Sequence, residues 1–383
     1  MLDFYELMSV GSKLSTEEIA DAELQLEREP KEIELRIKLV GYYDAHYSSA
    51  EAPARFLHHL SWLISNLSAV EGLGFITCRE NDGVYQECRQ KWLDVAAAPG
   101  VEVSVLDNAA RFLLSWNPED SCRLWLLAKQ KEPEEVEWNV TLASAFRFRS
   151  ENAESSEATG LLREALMFAE KAFELHYNEC PSSYLKGYRV PFFEELASFA
   201  MKLGAAAQLK LLAMRIISII ESLDEQLPGE LALLSKGHSF LCRIFLSEQN
   251  FAQALEELVM VKSLPIPGKG GYDLDPDLEL VSDLLRYDQR EWAVQYLHHA
   301  LRSFNVKIQQ LAEDPPKLSA AWTAMFDKLK SREKRDKVLA KWRAGLEAKA
   351  QQIEVWIVEI RQGNSPEVRF DFASDYGSLE FLN

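Results

Sequence analysis

The sequence predicts an all-α protein built as an array of antiparallel helical hairpins and closed by one long C-terminal helix. Three observations carry this reading. Apolar residues recur at three- and four-residue intervals through most of the 383 residues. Gly and Pro number only 17 and 14, and they fall at the breaks between periodic segments. Leu, Ala, Glu and Lys abound, while alternating runs of Val, Ile and Thr are nearly absent. Hydrophobic content of 47% is ample for a large core, and a repeat array absorbs such a length as one continuous body.

Taken in order, residues 1–12 form a leader or first helix. Ser15 and Thr16 ahead of Glu17 and Glu18 cap a second helix, which Pro30 ends. Segment 32–43 places Leu35, Leu39 and Tyr42 or Tyr43 on one face, and 52–67 answers with Phe56, Leu60, Leu63 and Ile64, making a first hairpin. The stretch 68–82 loops before a helix over 84–98 that carries Tyr85, Cys88 and Trp92 and stops at Pro99-Gly100. Val105, Ala109 and Phe112 mark the next first helix. Asn117-Pro118 opens its partner, with Ser121, Trp125 and Ala128 on the inner face. Trp138, Leu142, Ala143 and Phe146 begin another pair, completed by Ala165, Ala169 and Ala172. The polar stretch 150–160 between them reads as a surface loop.

Segments 184–203 and 205–223 follow, with Pro191 expected in the first turn of its helix and Gly204 as the stop. The clearest hairpin spans 231–265. Leu241, Cys242 and Phe245 lie on its first helix, the chain breaks at Gln249-Asn250, and Ala254, Leu258 and Val261 lie on the second before Pro265. The Gly- and Pro-rich 266–277 is the longest loop signal, with Asp275 as the expected cap and Pro276 as the first residue of a helix over 276–286. A partner helix over 290–304 follows. From 331 to 362 the stripe Leu339, Trp342, Leu346, Ala350, Ile353, Trp356 and Ile360 predicts one long helix, packed on the final hairpins as a cap with Trp342 and Trp356 buried. Its surroundings over 328–349 hold nine basic and three acidic residues. The acidic, aromatic tail admits at most a short strand at 368–372.

The order large, small, large on the first helix and small, large, small on the second, closed by proline at 265, resembles the tetratricopeptide repeat, a helix–turn–helix unit of about 34 residues that stacks on its neighbours. The resemblance covers 105–265 and is best at 105–133 and 235–265. It implies a right-handed solenoid. It departs from the family pattern at Cys242, where Gly or Ala is usual, and at Gln249, where a turn glycine is common. The whole chain is also similar to long uncharacterised bacterial proteins of tetratricopeptide type, a likeness that carries no function. The expected organisation is N-terminal hairpins over 1–104, repeats over 105–265, a divergent hairpin region over 266–330, and the long helix with its tail over 331–383.

A net charge of −18 argues against a general grip on nucleic acid, whose phosphates demand clustered Lys and Arg. Five scattered cysteines without a C-x-x-C spacing fit a reducing compartment better than a disulfide framework. The start MLDFYELMSVGSK is acidic where a signal peptide is basic, and no apolar run approaches the roughly 18 residues of a membrane span, so a cytoplasmic protein is expected. Asp273, Asp275 and Asp277 begin like a calcium loop, but Leu278 and Leu284 stand where its glycine and glutamate belong. Gly268-Lys269-Gly270-Gly271 lacks the Ser or Thr of a phosphate loop. His176 with Cys180, and the pairs His58-His59 and His298-His299, supply no zinc spacing. One histidine of each pair is expected in a helix interface and the other in water.

No catalytic, metal or cofactor site is therefore predicted. The function expected is a protein-interaction module that binds a peptide or partner protein on the inner face of the array, with neither nucleic acid nor membrane as partner and oligomeric state open. Arg147, Lys236 and Arg243 are the candidate peptide-binding residues, similar in kind to the clamp with which some tetratricopeptide domains hold a terminal carboxylate, though the asparagine of that motif is missing. Solvation, or pairing with neighbouring glutamates, is the plainer reading of these cations. The alternative function is an acidic immunity or regulatory protein that masks a basic toxin or nuclease.

Overall fold

The computed structural model describes residues 4–76, 78–79, 83–179, 185–264, 277–312 and 332–369. These residues form sixteen α-helices, one short 3-10 turn and no strand. The chain divides into two compact units, Met1–Leu175 and His176–Asn383, and the division falls inside the stretch 105–265. No described helix is long and apolar enough to cross a membrane.

Unit 1 comprises α1 (Phe4–Gly11), α2 (Thr16–Arg28), α3 (Ile33–Ala45), α4 (Ala52–Leu67), the 3-10 turn Leu73–Phe75, α5 (Gly83–Ala96), α6 (Val103–Leu113), α7 (Pro118–Lys131), α8 (Val136–Asn152) and most of α9 (Ser155–Asn178). From α2 to α8 each helix packs on the next in sequence, and α1 lies on α3. The last contact is backbone to backbone. A Cβ on Gly11 would stand 2.0 Å from the Lys38 carbonyl oxygen, so no larger residue fits there. The start of α2 is the capping box read from the sequence: the Glu18 amide donates to the Ser15 hydroxyl and the Ser15 amide to the Glu18 carboxylate. Asn117 caps α7 with Pro118 at its first position, and Ser121, wholly buried, donates to the Ala110 carbonyl of α6 at 2.7 Å.

The loop expected over 150–160 is not there. Helix α8 runs to Asn152 and α9 begins at Ser155. Arg147 pairs with Glu151 one turn on, and Arg149 reaches Glu157 across the junction at 3.4 Å. Ser150 donates to the Ala158 carbonyl at 3.0 Å, and Ala158 is buried. The polarity of the stretch is that of two helix ends pinned together, not of an excursion into solvent.

Unit 2 comprises α10 (Leu185–Lys202), α11 (Ala206–Glu221), α12 (Pro228–Ser247), α13 (Phe251–Ser263), α14 (Leu278–Arg286), α15 (Arg290–Ala312) and α16 (Arg332–Arg361). Besides its sequence neighbours α11 and α13, α12 packs on α10 and α14; α15 packs on α13, α14 and α16. Four helices end in one way, with a left-handed residue and an amide reaching back five residues. Gly204 (φ 70), Gln249 (φ 56), Asp288 (φ 57) and Gly363 (φ 88) are followed by Ala205 bonding Ala200, Asn250 bonding Phe245, Gln289 bonding Leu284 and Asn364 bonding Glu359. Gln249 and Asp288 thus do without glycine what Gly204 does with it.

Two helix starts differ from expectation. Pro191 lies in the interior of α10 rather than its first turn. Leu185 is buried and Arg189 is held by a buried ion pair, and together they draw the preceding turn into the helix despite the amide that proline lacks. The cap of α14 is Asp277, whose carboxylate accepts from the Leu280 amide at 2.9 Å. Asp275 and Pro276 lie outside the described residues, as do Cys180, the Asp273 position, the Gly268–Gly271 segment and 370–372 of the expected strand, while 368–369 are irregular.

Helix α16 runs antiparallel to α15: Arg361 donates to His298 at 2.8 Å, and Arg290 to the Asn364 carbonyl at 2.6 Å. Leu346, Ala350, Ile353, Trp356, Ile357 and Ile360 are buried, and Trp342 is only half-buried, contrary to expectation. Trp356→Ala is expected to cost about 3–5 kcal/mol in urea unfolding and Trp342→Ala less than half as much. Equal losses would mean that the whole stripe is anchored alike. Gln249→Gly, which relieves a left-handed side chain, is expected to add about 0.5–1 kcal/mol, read from the urea midpoint. A fall would show that the Gln249 side chain earns its place.

Candidate functional site

The polar groups of unit 2 converge on α12. An amphipathic helix buries one stripe, yet every residue from Gly237 to Leu246 is buried here, so neighbours surround α12 and each of its polar side chains needs a partner from one of them. His238 Nδ1 meets Glu257 of α13 at 2.6 Å. Ser239 donates to Asp277 at 2.9 Å, and the amide of that same Asp277 donates to the Tyr296 hydroxyl of α15 at 2.8 Å. Cys242 Sγ donates to the Ala254 carbonyl of α13. Arg243 Nε binds Asp283 at 2.9 Å and its Nη1 binds Glu279 at 2.8 Å, both on α14.

The two ends of α12 are tied in the same way. Glu230 pairs with Arg189 of α10 at 2.9 Å, both buried, and a Cβ on Gly229 would collide with that guanidinium at 2.0 Å. Lys236 pairs with Glu194 of α10, and Glu248 with Lys210 of α11 at 3.0 Å. Four helices are thereby joined to one by charge as well as by packing.

The electrostatics follow from this enclosure. Burial, then Glu257, Asp277 and Asp283, push the Cys242 thiol up to about 12, so it stays protonated and inert as a nucleophile. Burial by itself would lower the Arg243 pKa, but Asp277, Asp283 and Glu279 outweigh it and raise it. Burial also raises the Tyr296 phenol, with Asp277 adding to it.

Of the three cations singled out in the sequence, Lys236 and Arg243 stand two turns apart on α12, about 10 Å along its axis. Arg147 belongs to unit 1, where Glu151 holds it. Each already has a carboxylate partner. Those partners differ in access: Asp283 is 11% exposed, whereas Glu194 and Glu279 are 37% and 57% exposed. The partners of Lys236 and Arg243 were not legible in the sequence because they lie about forty residues away, whereas Glu151 lies one turn from Arg147. The sequence offered Asp275 rather than Asp277 as the cap of α14.

Unit 1 holds a second polar cluster. Arg36 donates to the Pro30 carbonyl and to His59 Nδ1, lies over the Trp62 ring at 4.2 Å, and leaves His59 Nε2 to donate to Glu23 at 3.0 Å. Tyr43 also donates to Glu23, at 2.7 Å. His59 is buried and His58 exposed, as expected of such a pair, but His298 and His299 are both half-buried. Among the described residues no group of three or more His, Cys, Asp and Glu is placed to hold a metal ion. A shallow groove of about 510 Å³ at the ends of α4 and α5 is lined by Leu67, Val70, Val95, Val101 and Val105, with Glu102 as its one charged residue.

No family model matches the chain, and no curated protein matches it.

Burial by itself would raise the Glu23 carboxyl, but the hydrogen bonds from His59 and Tyr43 hold it down to about 2. Its folded pKa lies below its unfolded one, so its contribution is present above about pH 4.5 and is lost as the pH falls toward 2. Glu23→Gln is therefore expected to flatten the acid limb of a plot of Tm against pH in that window. Superimposable limbs for variant and wild type would contradict the assignment.

Proposed function

We propose that the chain is a non-catalytic interaction module: a right-handed array of tetratricopeptide-like hairpins, capped by α16, that holds a peptide or a partner's surface on the side lined by α10, α12 and α14. The observation that carries this reading is the packing of the first helix of one hairpin on the first helix of the next, α10 on α12 and α12 on α14. Hairpins that stack in this way line up their first helices as a continuous surface, the usual recognition face of helical repeats. On that surface Lys236 and Arg243 offer two cations whose outer partners, Glu194 and Glu279, are exchangeable. Among the described residues four buried cysteines stand outside any disulfide, which fits a reducing compartment.

Charge distribution favours a second reading. Unit 1 carries a net −14 and unit 2 only −4, so an acidic surface that masks a basic partner would belong to unit 1. Such binding would weaken steeply with salt.

The test is a screen of peptides with free carboxyl termini against the full chain, followed by titration of the best one. Amidation of its terminus is expected to weaken binding at least tenfold, and so is the triple change Arg147→Ala, Lys236→Ala and Arg243→Ala. Glu194→Gln with Glu279→Gln is expected to tighten it several-fold by releasing both α12 cations. Equal affinity for the acid and amide forms, or an unchanged affinity in the triple variant, refutes the carboxylate clamp. If nothing is retained from the library or from a native extract, the interaction reading itself fails.

A further inference from the structure

Helices α11 and α13 are apolar on both sides. The inner side of α11 buries Leu209, Leu212, Ala213, Ile216 and Ile217, while Leu211 and Met214 face solvent, the former 68% exposed. The inner side of α13 buries Ala254, Leu258 and Val261, while Phe251, Leu255 and Val259 form an exposed stripe four residues apart. A helix that is apolar all round is ordinarily covered all round.

The two stripes belong together. Both helices run antiparallel to α12, as the Lys210–Glu248 pair shows for α11 and the His238–Glu257 pair for α13, so they run parallel to each other. Leu211 follows Lys210 directly and Phe251 lies three residues beyond Glu248, which places the starts of both stripes beside one ion pair.

Charge decides the occupant. The exposed residues of the two helices include only Arg215, Glu221 and Glu256 as charged groups, on a chain whose net charge is −18. Two copies that met through unit 1, with its net −14, would bring carboxylates together. Through this face they bring almost no net charge. Two parallel stripes suit a two-fold axis that lays α11 on α13 of the other copy. The apolar area exposed by the five side chains is roughly 500 Å² per copy, or about 1,000 Å² for a pair, which reaches the lower bound of a specific interface.

We propose that the outer sides of α11 and α13 form the isologous interface of a homodimer. This surface lies across α11 and α13 rather than on α10, α12 and α14, so the proposal stands or falls apart from the peptide-binding reading.

The test is the mass of the full chain in solution by light scattering over a hundredfold range of concentration. Wild type is expected at twice 43.7 kDa in the upper range. Leu211→Glu with Val259→Glu is expected to stay at 43.7 kDa throughout with an unchanged helical spectrum. Met167→Glu, at an exposed apolar site of unit 1, is expected to leave the dimer intact. Hydrogen exchange of unaltered protein gives a second reading that needs no variant: amides of α11 and α13 are expected to slow with rising concentration. A wild type that remains monomeric, a dimer that survives the double change, a dimer equally lost with Met167→Glu, or exchange in both helices that ignores concentration would each overturn the proposal.

Discussion

The enclosure of α12 is the constraint on which unit 2 depends. Once ten successive residues of a helix are buried, its polar side chains cannot turn to water, and each unpaired group would cost on the order of 1–3 kcal/mol. His238, Ser239 and Arg243 project in different directions from the helix axis, so satisfying them requires α13 and α14 in fixed registers. Glu230 and Lys236 place the same demand on α10. Hydrophobic burial accounts for the attraction of these helices. The pairs decide which sliding position they adopt, because an offset of one residue would strand a buried charge.

Unit 1 is held differently. Its helices meet through small residues and backbone contacts, with Gly11 against the Lys38 carbonyl and wholly buried Ala109, Ala110, Ser121 and Ala128 between α6 and α7. Its polar cluster is compact: Glu23, Arg36, Tyr43 and His59 tie α2, α3 and α4 at one place instead of along a helix.

The helices of both units were legible in the sequence because their apolar period was regular, and the α12/α13 hairpin was read almost to the residue because Ala254, Leu258 and Val261 fill the positions a close crossing needs. Gly204 was legible as a stop because glycine advertises a left-handed backbone. Asp288 was not, since the bond from Gln289 to Leu284 imposes the conformation on a residue that does not announce it. The stretch 150–160 misled because Ser and Glu serve helix ends as readily as loops, and only the ion pairs across 147–157 distinguish the two. Trp342 misled because a periodic stripe marks a face without measuring how deeply each of its residues is covered. Lys236 and Arg243 were singled out from their place on the helix face. Their carboxylates were out of reach of periodicity, which relates a residue to those three or four positions away and says nothing of a partner on another helix.

The described cysteines, Cys78, Cys88, Cys122 and Cys242, are all buried and outside any disulfide, and Cys242 holds its proton well above neutral pH. Such thiols meet a reagent only while the surrounding structure is open. Their labelling rates therefore count excursions: Cys242 those that unseat α12 and expose its charges, Cys88 and Cys122 those of the helices in the other unit. The chain thus carries its own gauges of local breathing, one set in each unit, and their comparison tells whether the two units loosen together or singly.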